Sequence, residues 1–228
     1  MRVMLLLVLI WPAWVSAADI DDFVLGMFSL ERCGFMSASE TARADRVDLC
    51  RDLLGEVDSV FDSLEEQEPA ELMDALRPEW ERLVDTYEQA LEDPFEFRNY
   101  YTADDIRTTR AALADLLGDR LPKPPNPIAL AVVVERAANE YVWRAESVMA
   151  GGLTSSEVLD IEVLVREMDK QFEVLNKEHP DDLALKQAYT KYEFIRGSLL
   201  NYNSDTVPFL VDRYADMITE SLSQVVRR

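Results

Sequence analysis

The feature that most constrains this chain is a pattern of acids, apolar residues and a proline that occurs twice, 111 residues apart. The first copy consists of Glu56, Asp58, Phe61, Leu64, Pro69 and Leu72, and the second of Glu167, Asp169, Phe172, Leu175, Pro180 and Leu183. A shared helical period would explain the apolar positions, but it would not explain the matching acids and proline. The pattern therefore indicates an internal duplication, which predicts two modules built alike.

Helical periodicity fills both halves, and strand signals are almost absent. In the second predicted helix of each half, apolar residues alternate at spacings of three and four, which is typical of a helix in a bundle. They are Val47, Cys50, Leu54, Val57, Phe61 and Leu64, and then Val158, Ile161, Val165, Met168, Phe172 and Leu175. The predicted fold is all-α, with two tandem four-helix modules that form helical bundles.

Prolines and capping residues set the predicted boundaries. The first module spans residues 18–121, a stiff Pro-rich linker spans 122–127, and the second module spans 128–228. Four local signals are a break or kink at Pro78, a cap at Thr102 with Asp105, a capping box at Thr154 with Glu157, and a helix start near Pro180. The fifth helix is expected to run from Ile128 to Met149 and to end at a glycine pair.

The first seventeen residues have the pattern of a secretory signal peptide. Arg2 precedes a short apolar run, and Ala17 suits cleavage, so a periplasmic or secreted location is predicted. An uncut N-terminal anchor is the alternative. No later segment is long and apolar enough to span a bilayer. The formal charge of −21 argues against partners such as nucleic acid or anionic lipid.

The chain contains two cysteines, Cys33 and Cys50. An isolated pair in an oxidising compartment usually forms a disulfide, and an antiparallel helical hairpin would bring these two together. Two buried free thiols are the alternative. The spacing fits neither a zinc site nor a redox Cys-x-x-Cys motif.

Recognisable catalytic and cofactor motifs are absent from the sequence. The single histidine, His179, lies in a predicted loop, and one histidine cannot form the usual zinc or di-iron site. There is no phosphate-binding glycine loop and no Gly-x-Ser-x-Gly elbow. We therefore predict a non-enzymatic protein with no metal and no cofactor.

Two groups of residues are candidates for binding. The first is an aromatic loop of Phe95, Phe97, Tyr100 and Tyr101, which either covers one end of the first bundle or forms a partner surface. The second is a set of arginines on the first and fifth helices, Arg32, Arg136 and Arg144. These either form surface ion pairs or bind an anionic ligand between helices.

The signal peptide, the four-helix modules, and Trp80 or Tyr192 at the second hairpin of each half resemble a known sensor domain. This is the PilJ-type N-terminal domain of type IV pilus methyl-accepting chemotaxis transducers. The resemblance implies a freestanding, duplicated sensory domain without the transducer's transmembrane and signalling regions. Related nitrate sensors carry an Asn–x–Ala–Gly stretch ahead of an arginine, and neither Arg32 nor Arg136 follows such a stretch.

The predicted function is binding of a small ligand or an envelope protein partner, with a possible sensory role. The alternative is a structural or chaperone-like envelope protein that uses its acidic surface. A polar cavity beside Arg32 or Arg136 would favour the first hypothesis, whereas a dry core with an exposed apolar patch would favour the second.

Overall fold

The computed structural model describes residues 17–38, 45–146, 161–202 and 206–226, which form eight α-helices and no strand. The helices are α1 (Ala17–Ser37), α2 (Arg46–Gln67), α3 (Ala70–Glu92), α4 (Tyr100–Leu117), α5 (Pro127–Glu146), α6 (Ile161–Glu178), α7 (Leu183–Leu200) and α8 (Pro208–Val226). Short 3-10 helices, Pro94–Arg98 and Gly118–Arg120, flank α4. The prediction of an all-α helical-bundle fold is confirmed.

Two hydrophobic cores form, one among α1–α4 and the other among α5–α8. Three residues cross between them, because Leu25 of α1 packs in the second core while Val142 and Trp143 of α5 pack in the first. The helices α1 and α5 pack against each other. None of the described side chains in 20–38 or 127–145 is exposed. These two helices therefore form the shared centre of the molecule.

The helices of the second half keep the 111-residue offset of the sequence repeat. The clearest example is that α2 ends at Gln67 and α6 ends at Glu178. In the first copy, the repeated Phe61 stacks on Trp80 of the next helix, with ring centroids 5.5 Å apart. The indole Nε1 of Trp80 donates a hydrogen bond of 2.9 Å to the repeated Asp58.

The second copy repeats this arrangement with different chemistry. Phe172 stacks on Tyr192 with centroids 5.0 Å apart, and the Tyr192 hydroxyl donates a 2.6 Å hydrogen bond to Asp169. Both phenylalanines are buried, as predicted. The repeated acid therefore has a structural role in both copies, since it accepts a hydrogen bond from the polar edge of a buried aromatic ring.

The central helices α1 and α5 are antiparallel. The Asn139 side-chain amide donates to the Phe28 carbonyl at 3.0 Å, and Arg32, further along α1, pairs with Glu135, earlier on α5. Phe28 and Asn139 are 111 residues apart, so equivalent positions of the two modules contact each other. Contact between equivalent positions is the arrangement expected at a two-fold axis relating the modules.

Three boundary predictions need correction. The cap of α4 is Asn99 and not Thr102, because the Asn99 side chain accepts the Tyr101 N–H at 3.0 Å. The start of α7 is also later than Pro180, since Asp182 accepts the N–H groups of the first turn at 2.8 and 3.0 Å. In both cases an Asx side chain binds the unpaired amides of the first turn.

The third correction is that α3 does not break at Pro78. A proline inside a helix removes one hydrogen bond and costs about 3 kcal/mol. Leu76 and Trp80 are both buried on either side of Pro78. Burying two large side chains outweighs that cost at roughly 1.5–3 kcal/mol for each, so the helix continues with Pro78 on its exposed face.

Two later helices expose apolar residues. Leu183 of the repeat is 65% exposed because it begins α7 and faces away from the core. On α8 the buried stripe is Val211, Ala215, Ile218 and Leu222, and Leu210, Tyr214 and Met217 lie at its partly exposed edge. The signal peptide, the glycine end of the fifth helix and the Thr154–Glu157 capping box lie outside the described residues.

The cysteines join α1 to α2. Cys33 and Cys50 are both buried, and their Cα atoms lie 5.7 Å apart, within the range that a disulfide requires. The predicted pair is therefore confirmed at bonding distance.

Replacing either repeated phenylalanine by alanine, Phe61→Ala or Phe172→Ala, should lower the free energy of unfolding by about 3–5 kcal/mol, because each leaves a cavity in its core. Chemical denaturation of the variants measures the loss. The exposed Glu71→Ala is the control and should change stability by about 0.5 kcal/mol or less. A loss at Glu71 as large as that at the phenylalanines would mean that the repeat does not form the cores.

The protein purified from an oxidising compartment should contain one disulfide, visible by mass spectrometry because alkylation adds mass only after reduction. Its sequence separation is 17 residues, so the bond should contribute about 3 kcal/mol by restricting the unfolded chain. The Cys33→Ala/Cys50→Ala variant should lose that amount in denaturation. Two free thiols in the protein so purified would contradict this prediction.

Candidate functional site

The boundary between the modules contains a buried charge cluster centred on Arg32, which is only 2% exposed. Its Nε donates to Asp212 at 2.9 Å, and its terminal nitrogens pair with Glu135 and Asp216. Glu135 belongs to α5 and the two aspartates to α8. All three nitrogens of this first-module guanidinium thus have carboxylate partners from the second module.

Further groups complete the hydrogen bonding of this cluster. Arg46 of α2 donates to both carboxylate oxygens of Asp212, at 2.8 and 2.9 Å. The hydroxyl of Thr219 donates to the remaining oxygen of Glu135 at 2.8 Å. A ligand anion at Arg32 would have to displace a protein carboxylate, so the geometry assigns Arg32 to holding the modules together.

Burial determines the ionisation of the cluster. It raises the pKa of Glu135 to about 7, with Arg32 opposing the rise and the nearby aspartates adding to it. For Arg32, burial alone would lower the pKa, but Glu135, Asp216 and Asp212 outweigh it and raise the value. The arginine therefore stays charged, while Glu135, with its pKa raised to about 7, can take up a proton near neutral pH.

A second network crosses the boundary on the other side of α1. Glu31 accepts from Arg107 at 3.2 Å and also pairs with Arg110, both on α4. Glu140 of α5 pairs with Arg107 and accepts from Arg144 at 2.7 Å. These long side chains thus connect α4 to the two central helices, in addition to the apolar residues of α4 that pack in the first core.

Two of these guanidiniums are also held by aromatic rings. Arg107 lies over Trp143 at 4.6 Å from the ring centroid, and Arg110 lies over Phe28 at 4.3 Å. Stacking of this kind suits the planar guanidinium and fixes its orientation. Arg107 and Arg110 are therefore held in place by both acids and rings.

A cavity of about 560 Å³ opens where α4 stands away from α1 and α5. Its apolar wall consists of Val24, Phe28, Ala111, Ala114, Leu121, Pro122, Pro124, Ala129, Val132 and Val133. Its charged wall consists of Arg107, Arg110, Asp115, Arg136 and Glu167. Both modules and the Pro-rich linker thus contribute to one space, which is the candidate site.

Arg136 differs from the other cavity arginines. It is half-buried, and no carboxylate of the described residues lies within ion-pair distance of it. Burial lowers the pKa of its guanidinium, and the nearby positive Arg110 lowers it further, while Glu167 and Glu31 partly offset both effects. Arg136 therefore points a cation without a paired anion into the cavity.

The three predicted ligand-binding arginines thus lie in different surroundings. Arg136 lines the cavity, and Arg32 is enclosed by acids. Arg144 pairs with Glu140 on its own helix and lies over Tyr202 at 4.7 Å from the ring centroid. Only Arg136 has the geometry for a ligand.

The predicted aromatic surface loses one member. Phe97 is 1% exposed, because its ring packs edge-on against Tyr87 with the ring centroids 5.0 Å apart. Its ring also lies against Gly34, where an added Cβ would be 2.4 Å from the nearest ring carbon. Phe95 and Tyr101 are 64% and 80% exposed, and Tyr100 is 37% exposed. The loop therefore does both things that its composition allowed, closing the bundle with one ring and exposing three.

Sequence reasoning missed the partners of the arginines. Arg107, Arg110 and Glu140 were not singled out, although one signal was available. Glu135, Asn139 and Glu140 follow the apolar run Ile128–Val134 on one predicted helix, where a buried polar residue requires a partner. Identifying those partners requires the tertiary structure, since Asp212 and Arg107 are distant in sequence.

Two further properties of the described residues concern metal binding and membrane spanning. Within the described ranges, no group of histidine, cysteine and acidic side chains is arranged to hold a metal ion. The single histidine, His179, is exposed. No helix in the part of the chain that the structure describes combines the length and apolarity needed to cross a membrane.

Comparison with protein-family models, with curated proteins and with solved structures gave no match for this chain. The candidate function therefore depends on the geometry of the cavity and its charges.

The free energy of unfolding should fall by about 1–3 kcal/mol as the pH rises from about 5 to 8. The folded-state pKa of Glu135, about 7, lies above its ordinary value of 4.5. The folded protein therefore binds more protons than the unfolded chain between these values, and stability is lost as pH rises through 7. Burial and the nearby Asp22 raise the pKa of Asp21 to about 6, and this shift acts in the same direction.

Chemical denaturation across that pH range measures this dependence. Glu135→Gln should flatten the curve, and the exposed Glu71→Gln should not. A parallel curve for Glu135→Gln and the unmodified protein would show that Glu135 is ionised throughout.

Proposed function

We propose that this chain is an exported, non-enzymatic binding protein that holds a small molecule in the cavity between its two modules. The observation that carries the proposal is the cavity itself, which is mainly apolar and contains one arginine without a paired acid. Ligand sites in proteins typically combine an apolar wall with a few oriented polar groups.

The size of the cavity supports a small organic ligand. Its volume of about 560 Å³ lies within the roughly 300–1,000 Å³ range of known ligand pockets. The apolar wall contributes binding free energy in proportion to the ligand surface that it covers, at about 25 cal/mol per Å². An inorganic ion would leave most of this wall uncovered.

The position of the cavity supports a sensory role. A ligand would contact α1 and α4 of the first module and α5 of the second, so occupancy can favour one relative placement of the modules over another. This agrees with the role implied by the resemblance to PilJ-type domains, which stays a prediction. The signal-peptide pattern and the cysteine pair agree with a periplasmic or secreted location.

A second candidate is a structural or chaperone-like envelope protein. The exposed rings of Phe95, Tyr100 and Tyr101 favour it, because exposed aromatic groups are typical of protein interfaces. In that case the cavity would have no ligand.

Binding of the neutral fluorescent dye phenylnaphthylamine tests the proposal, because this dye requires an apolar pocket but no charge. We expect saturable binding of about one molecule per chain with micromolar affinity. Ala111→Trp should fill the cavity and weaken dye binding by about tenfold or more.

The exposed Ala70→Trp is the matched control and should leave dye binding unchanged. Circular dichroism and melting establish that each variant folds, and Ala114→Phe replaces Ala111→Trp if that variant does not. Absence of saturable binding, or equal binding by the folded cavity-filled variant, would reject the cavity as a ligand site and favour the structural candidate.

A further inference from the structure

We propose that the ligand is an organic monoanion, with an apolar body against the cavity wall and one carboxylate-like group bound by Arg136. This inference rests on the proposed function, and it adds the charge and chemical class of the ligand.

The three arginines that line the cavity differ in their ion pairing. Arg107 and Arg110 are already engaged, because Glu31 is shared between them and Glu140 binds Arg107. The rings of α1 and α5 cover their faces as well. Arg136 alone among the three has no acid within ion-pair distance in the described part of the chain.

A partly dehydrated guanidinium without a paired acid, such as that of Arg136, is energetically unfavourable. A half-buried guanidinium has lost part of its hydration, and Arg110 stands close enough to disfavour its charge. Glu167, an acid of the cavity wall that partly offsets the pKa shift of Arg136, accepts a hydrogen bond from Gln171 at 3.1 Å and makes no ion pair with Arg136. An incoming anion would supply the partner that the protein does not.

The acids of the cavity wall favour a ligand with a single negative charge. Asp115 and Glu167 also line the cavity, so a second negative charge on the ligand would meet protein carboxylates. A single carboxylate fits the planar fork of one guanidinium through two parallel hydrogen bonds. A phosphate dianion would bring a second negative charge that the single unpaired guanidinium of Arg136 does not neutralise.

The net negative charge of the chain favours a ligand that also has an apolar body. The chain has a formal charge of −21, and its long-range field therefore repels anions. A simple ion has only the contact with Arg136 to overcome this repulsion. An organic anion can also bury apolar surface against Phe28, Val132 and Leu121, which line the cavity.

Decanoate and decanol test the inference, since they share an alkyl chain and differ in charge. Displacement of phenylnaphthylamine and calorimetry, both at about pH 8 so that decanoate is ionised, give the two affinities. We expect decanoate to bind about tenfold or more tightly than decanol, and acetate and inorganic phosphate not to displace the dye.

Variants at one position then assign the preference. Arg136→Gln should weaken decanoate binding by about tenfold and leave decanol unchanged, while Arg136→Lys should keep most of the preference. Arg213→Gln, which removes the same charge from an exposed site on α8, is the matched control and should change neither affinity.

The outcomes separate the two proposals. If the dye binds but decanoate and decanol bind equally, or if Arg136→Gln keeps the full preference, the monoanion inference is wrong while the cavity proposal stands. If phosphate displaces the dye as well as decanoate does, the apolar body is not required and the inference is also wrong. If the dye does not bind at all, both proposals fail.

Discussion

The ion pairs of Arg32 are the interaction on which the arrangement of the two modules depends. A charged group buried in the interior is tolerated only when partners replace its lost hydration, and here those partners come entirely from α5 and α8. Any shift of α1 along α5 would separate buried charges. Apolar packing would tolerate a small slide between these helices, whereas the hydrogen bonds to Glu135 and Asp212 specify a single register. We therefore attribute the register of the modules to this cluster.

The duplication did not produce two equivalent surfaces. Equivalent positions contact each other at Phe28 and Asn139, yet the position that corresponds to Arg32 is Trp143, and that side chain packs in the opposite core. The modules also differ in packing, because α8 packs closely on α5, whereas α4 packs less closely on α1 and joins it through Glu31 and its arginines as well as through the first core. Long polar side chains hold helices further apart than apolar ones do. The cavity consequently lies on one side of the centre only.

The location of the cavity relates structure to function. It lies beside the acid–arginine network that connects α4 to the central helices, and Arg107 and Arg110 belong to both. A ligand there would contact groups that also set the spacing between modules. Binding there would couple to module placement through the same side chains, as the proposed sensory role requires.

The sequence by itself determined the helical class, the repeat and the apolar faces of α2 and α6, because periodicity and matching spacings are local properties of the chain. It also contained the cysteine pair, since one pair allows only one bond, and it placed Arg136 among three candidate arginines without distinguishing it from Arg32 and Arg144. It misplaced the start of α7 and the cap of α4, where Asp182 and Asn99 act through local hydrogen bonds that several neighbouring residues could have made. Only the tertiary structure decided which arginine is neutralised and which faces a cavity. Arg32 and Arg136 each follow a glutamate in sequence, and what distinguishes them is the set of acids that distant helices bring within a few ångströms of one and not of the other.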